Sequence, residues 1–174
     1  PLEKASAESI SNYAIDGDVS IISALLFDTA NYIVQLTVSK LPSAEVTTLT
    51  INNVSDLSGN PITSGTTIEF EYLETTTASA GDILINEFLA DPFDNNDVFV
   101  ELWNISDNNI DLAGWKLRDN AATSAGFSAF IIRPNDFVLI YDEDATIDYS
   151  SLGNALTIPS LTLNNTNDQI EVLS

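Results

Sequence analysis

Tyr32-Ile-Val-Gln-Leu-Thr-Val38 places Tyr32, Val34, Leu36 and Val38 at every second position, the period of a strand with one buried face. Before it, Asp28-Thr-Ala-Asn31 is a turn cluster, and residues 19–27 form an apolar strand entered through the turn Asp16-Gly17-Asp18. After it, residues 47–53 put Thr47, Leu49 and Ile51 on one side. Beyond a loop holding Gly59, Pro61 and Gly65, residues 66–73 are expected to bury Ile68, Phe70 and Tyr72 and to expose Glu69 and Glu71. Helical periodicity is confined to about one turn within residues 4–11. Short strands between turn clusters predict an all-β chain built as a β-sandwich.

The small, polar stretch Glu74-Thr-Thr-Thr-Ala-Ser-Ala-Gly-Asp82 has no apolar period and reads as a linker. Residues 1–73 are thus one expected domain and residues 83–174 another. In the second, strands are expected at residues 83–90, 98–104, 115–119, 127–132, 137–141 and 169–173, with a weaker one at 161–163. Asx- and Gly-rich loops join them.

Composition narrows the function. The 174 residues hold 26 Asp+Glu against 5 Lys+Arg, a net charge of −21, with no His, Cys or Met. Nucleophile systems built on His or Cys are therefore excluded, as are disulfides, and zinc or copper sites lack their preferred ligands. Carboxylate chemistry and hard cations such as calcium remain. Five cations cannot build the basic stripe that a phosphate backbone needs, so no nucleic-acid partner is expected. No apolar run approaches the roughly 18 residues of a membrane span, so no membrane insertion is expected either. Leu, Ile, Val and Phe supply 54 residues, enough for a folded core beneath an acidic surface.

The second half resembles the lamin tail domain, a small immunoglobulin-like β-sandwich. The likeness rests on Ile83-Leu-Ile-Asn-Glu-Phe-Leu-Ala-Asp-Pro92, Phe99-Val-Glu-Leu-Trp-Asn-Ile-Ser106 and Ile110-Asp-Leu-Ala-Gly-Trp-Lys-Leu-Arg-Asp119. It continues through Phe137-Val-Leu-Ile140 and residues 163–173. Around Ile10-Ser-Asn-Tyr-Ala-Ile15 and Val54-Ser-Asp-Leu-Ser-Gly-Asn-Pro-Ile62 the first half is similar to bacterial Ig-like modules of the S-layer, SbsA type. Both resemblances are clipped, which implies a further strand before Pro1 and another after Ser174, in a longer multidomain chain. They imply two tandem immunoglobulin-like sandwiches in an exported bacterial protein, extracellular or at the cell surface. The chain would act there as a non-catalytic spacer and attachment unit. Its partners would be neighbouring domains of the same chain, other surface proteins or polysaccharide.

Individual residues offer a competing, ligand-binding reading. Asp91, Asp94, Asn96 and Asp97 crowd oxygen donors into one loop and are the candidate calcium ligands, although the loop lacks the glycine and distal Glu of an EF-hand. Asp142, Glu143, Asp144 and Asp148 form a second such group. Phe93 and Trp103 are candidate ligand contacts, for instance to a polysaccharide. Which face of its strand Trp103 occupies stays open at this point, while Trp115 is read as core. Glu87 and Glu101 each interrupt an apolar strand. They suit either a carboxylate pair or structural acceptors, with Arg118 or Lys116 as the expected counter-ion. Thr29, within Asp28-Thr-Ala30, is the candidate O-glycosylation site. Asn53, Asn104 and Asn164 open N-glycosylation sequons. No catalytic residue is expected, and no cofactor beyond calcium.

Overall fold

Apolar alternation is realised as short strands in a computed structural model that describes every residue except Thr29, Asn31, residues 94–96, Ala121, Thr162 and residues 164–168. The chain divides into two compact units, Pro1–Glu74 and Thr75–Ser174.

The first unit begins with a single helical turn, α1 (Lys4–Ala7), whose start is closed by the Glu3 carboxylate accepting the Ala5 and Ser6 N–H groups. Strands β1 (Tyr13–Ile15), β2 (Ile21–Leu26), β3 (Val34–Val38), β4 (Val46–Ile51) and β5 (Thr66–Glu71) follow. An antiparallel sheet of order β1-β4-β5 is accompanied by the hairpin β2-β3. Asx side chains close the turns. Asp28 accepts the N–H groups of Tyr32 and Ile33, and Asp56 those of Ser58 and Asn60, while Asp16 ties its turn to β4 by accepting the N–H of Thr48. Ala7, Tyr13, Ala24 and Val54 are buried, with Val34, Leu36, Leu49 and Ile51 among those packed around them.

Two expectations for this unit need correction. Tyr32 is largely exposed, because it lies in the turn before β3 begins at Val34. Ile68 is 52% exposed and Phe70 only half-buried, because β5 is an edge strand paired on one side alone. Tyr72 is exposed beyond the strand's end.

The second unit contains β6 (Thr75–Thr76), β7 (Ile83–Leu89), β8 (Phe99–Asn104), β9 (Asn109–Asp111), β10 (Lys116–Arg118), β11 (Ile131–Ile132), β12 (Phe137–Asp142), β13 (Ala155–Ile158) and β14 (Glu171–Leu173). They form a four-stranded sheet β13-β12-β8-β7, a three-stranded sheet β11-β9-β6 and the pair β10-β14. Alternate residues of β8, β12 and β13 (Val100 and Leu102, Val138 and Ile140, Leu156 and Ile158) fill the core. Ile110, Leu112, Leu117, Phe127 and Ile132 join them. The expected linker contains a strand, since Thr75 and Thr76 pair in parallel with Asn109 and Ile110. The strand expected at 127–132 shrinks to Ile131–Ile132. Leu161 is buried core outside any strand, and Thr162 lies outside the described residues. Parallel β13 and short β9 were not anticipated.

The two cores differ in depth: among the described residues, four apolar side chains are buried in the first cluster, two of them alanines, against thirteen in the main cluster of the second unit. Stability follows apolar burial. The first unit is therefore expected to melt at lower temperature. Both tryptophans, Trp103 and Trp115, belong to the second unit. Tryptophan fluorescence should follow only the later of two calorimetric transitions, and a single transition seen by both probes would contradict this.

Candidate functional site

Strand β8 sets the chemistry of the second unit by its alternation. Val100, Leu102 and Asn104 are buried on one side, while Phe99, Glu101 and Trp103 line the other and are half-covered. The inward row ends in a polar group. Asn104 is wholly buried, and its Nδ2 donates to the carbonyls of Asn108 (2.8 Å), Ile132 (3.2 Å) and Arg133 (3.1 Å). Its Oδ1 accepts the N–H and the hydroxyl of Ser106. One amide thus satisfies two loops that would otherwise bury unpaired carbonyls. Burial also removes Asn104 as a glycosylation acceptor in the folded state. Asn53 is exposed, and Asn164 lies outside the described residues.

Asp97 is equally committed. It is 5% exposed; Oδ1 accepts from the N–H groups of Thr146 (2.7 Å) and Ile147 (3.1 Å), and both oxygens meet the Thr146 hydroxyl. The Tyr149 hydroxyl donates to the Asp97 carbonyl at 2.8 Å. Burial pushes the Asp97 carboxyl pKa up, but the bonds from Thr146 and Ile147 outweigh it and hold the group below the ordinary carboxylate range. Burial, and then the Asp97 charge, raises the Tyr149 hydroxyl. Of the other expected calcium ligands, Asp91 is exposed at the loop's start, and Asp94 and Asn96 lie outside the described residues.

The second acidic group is likewise tied to backbone. Buried Asp142 accepts the N–H groups of Asp144 and Leu161, each at 2.8 Å. Asp148 caps a 3-10 turn through the hydroxyl and N–H of Ser150, which lower its pKa. Among the described residues no three His, Cys, Asp or Glu side chains gather as a metal site requires.

On the outward face, Trp103 stacks on Phe137 with ring centroids 5.4 Å apart and planes 14° from parallel. Its Nε1 is buried without a partner among the described residues. Trp115 is half-buried against the core. Glu87 and Glu101 stand opposite one another across β7 and β8, and Glu101 accepts from Asn86 Nδ2 at 2.6 Å. The expected counter-ion is engaged elsewhere, since Arg118 pairs with Glu171. Phe93 is fully exposed, and Thr29 lies outside the described residues. Sequence reading missed the roles of Asn104 and Asp97. The available signal was an amide continuing the inward row of an apolar strand.

Replacing Asn104 by Ala removes a donor from the carbonyls of Asn108, Ile132 and Arg133 and an acceptor from the part-buried Ser106 N–H, and should cost about 2–4 kcal/mol in denaturant unfolding. Asn104→Asp should be worse at neutral pH, because a carboxylate would face those carbonyls, and should recover partly as acid protonates it. For Asp97 the folded pKa is depressed, so its stabilisation is complete above the unfolded value near ~3.9 and fades as pH falls through the folded value. The melting deficit of Asp97→Asn should accordingly be largest near neutrality and close as pH falls below about 4. A deficit independent of pH would refute the charged clamp.

The family model described as the Lamin Tail Domain matches residues 76–174. No curated protein and no solved structure matches the chain. The matched span holds the four-stranded sheet, the Asn104 amide and the Asp97 clamp, and the family is one of non-catalytic, immunoglobulin-like interaction and structural domains. The span exceeds half of the sequence, and the chain belongs to the lamin tail domain family.

Proposed function

We propose that this chain is a non-catalytic segment of a longer exported bacterial protein, in which it spaces and attaches other parts at the cell surface. The first unit serves as an Ig-like spacer of the S-layer type, on the strength of the segments 10–15 and 54–62. The second unit supplies the attachment surface. One observation carries this reading. Among the described residues of the second unit, the buried polar side chains Asp97, Asn104 and Asp142 all bind loop backbone. Side chains able to do chemistry are used to hold loops in place, so what the unit presents outward is a shaped surface.

The reading is tested in cells of the source organism carrying the full-length parent protein. An antibody raised against this chain should label intact cells, and external protease should abolish the label. Label found only after lysis would overturn the proposal.

A further inference from the structure

The outward face of the four-stranded sheet is organised in three rows across β7, β8 and β12. Register aligns Leu89, Phe99 and Tyr141 in one row, Glu87, Glu101 and Leu139 in the next, and Leu84, Trp103 and Phe137 in the last. The chain covers Phe99 and Tyr141 of the first row itself. Tyr149, from the segment after β12, sits edge-on to Phe99 and Tyr141 with centroids 5.3 Å away in each case, and Ala145 packs beside it. Among the described residues no further ring closes over the last row in this way, and Leu84 and Phe137 are each 40% exposed on either side of Trp103.

Between the covered and open rows lie the two carboxylates. Like charges directly opposite across strands are unfavourable, and neither Glu87 nor Glu101 has a basic partner among the described residues. The ion pairs present there use Glu8, Glu74 and Glu171 instead. An apolar aromatic shelf bordered by two uncompensated carboxylates is complementary to a side chain with an apolar stem and a cationic head.

We propose that Leu84, Trp103 and Phe137, with Glu87 and Glu101, form a docking surface for a cationic polypeptide segment. Its Arg or Lys stems would lie on the shelf, and their charged heads would reach the carboxylates. A second copy of this chain fits poorly, because it brings another −21 of charge to the contact. A neutral sugar could stack on Phe137 but would leave the carboxylates uncompensated. Strand addition at the edge of β7 is disfavoured by the bulge between Ile85 and Glu87, which interrupts the ladder there. The face is therefore the docking element. The inference takes only the idea of attachment from the proposed function, and surface labelling and peptide binding fail independently.

The test uses the whole chain and a fluorescein-labelled octapeptide of Arg and Leu, read by fluorescence anisotropy near physiological salt. A companion peptide has Leu replaced by Ser. The Arg-Leu peptide should bind and its Ser version bind more weakly. The double variant Glu87→Gln/Glu101→Gln should weaken binding roughly tenfold. Phe137→Ser should also weaken it, its melting curve confirming the fold. The control Asp18→Asn/Glu69→Gln removes the same charge from the first unit and should change affinity less than about twofold. Equal losses in both double variants would reduce the effect to general polyanion attraction and overturn the proposal. So would the absence of peptide binding, a dimer in sedimentation equilibrium that Phe137→Ser dissolves, or binding of a neutral oligosaccharide that Phe137→Ser abolishes.

Discussion

The second unit depends on one buried amide. A polar group removed from water must be paired, and Asn104 has no solvent to fall back on. Its side chain fixes the turn at Ser106 and Asn108 and the carbonyls of Ile132 and Arg133. Its backbone carbonyl accepts the N–H of Asn135, a residue held at φ +61°, where Asn is among the more tolerant side chains. One of these turns leads from β8 to β9, and the other from β11 to β12. Because β8 and β12 belong to one sheet and β9 and β11 to another, the amide fixes how strands pass between the layers. An apolar residue of similar size would fill the space and leave the loops without their donors.

The acidic composition follows a related logic. A protein with 26 acids and five cations cannot settle its charge through ion pairs, and only three are formed among the described residues. Carboxylates take backbone N–H groups instead. Glu3, Asp28, Asp56 and Asp148 do this at exposed turns and have depressed pKa values, led in each case by hydrogen bonds from Ser6, Ile33, Asn60 and Ser150 respectively. Asp97 does the same under cover, against the cost of burial. Such turns need no cation, so a high negative charge is compatible with order in the loops. Self-repulsion still acts on the whole chain, and protonation relieves it while weakening the individual turns.

Much of this was legible from sequence where period two is strong. Residues 98–104 and 137–141 alternate or run apolar over enough length that β8 and β12 emerge within a residue of the expected bounds. The misses share a physical cause. Strand β9 is Asn-Ile-Asp and β6 is Thr-Thr, too short and polar to show a period; tertiary pairing alone makes them strands. Strand β13 follows Gly153 and precedes Pro159, so turn residues masked a strand whose parallel partner β12 is not its hairpin neighbour. For the site, sequence supplied carboxylates without directions. The same Asp97 that looks like a metal ligand in a string of oxygens turns inward once Thr146 and Ile147, some fifty residues away, supply donors. Trp103 could be placed only when Val100, Leu102 and Asn104 were seen to face the core.

That placement has a consequence for the whole outward face. A one-residue slip of β8 would exchange its rows, sending Glu101 and Trp103 inward and Asn104 out of reach of its carbonyls. The buried amide therefore fixes the outward row as firmly as it fixes the loops. On the neighbouring strand, the bulge lets Asn86 and Glu87 both oppose Glu101, and the Asn86 bond to Glu101 holds that carboxylate on the face. Tyr149, secured at Asp97, covers the face only as far as Leu139 and Tyr141. The boundary between covered and open rows is thus set from two sides, by the Asp97 clamp and by the register that Asn104 enforces. The open shelf beside Glu87 and Glu101 follows from those two buried polar contacts.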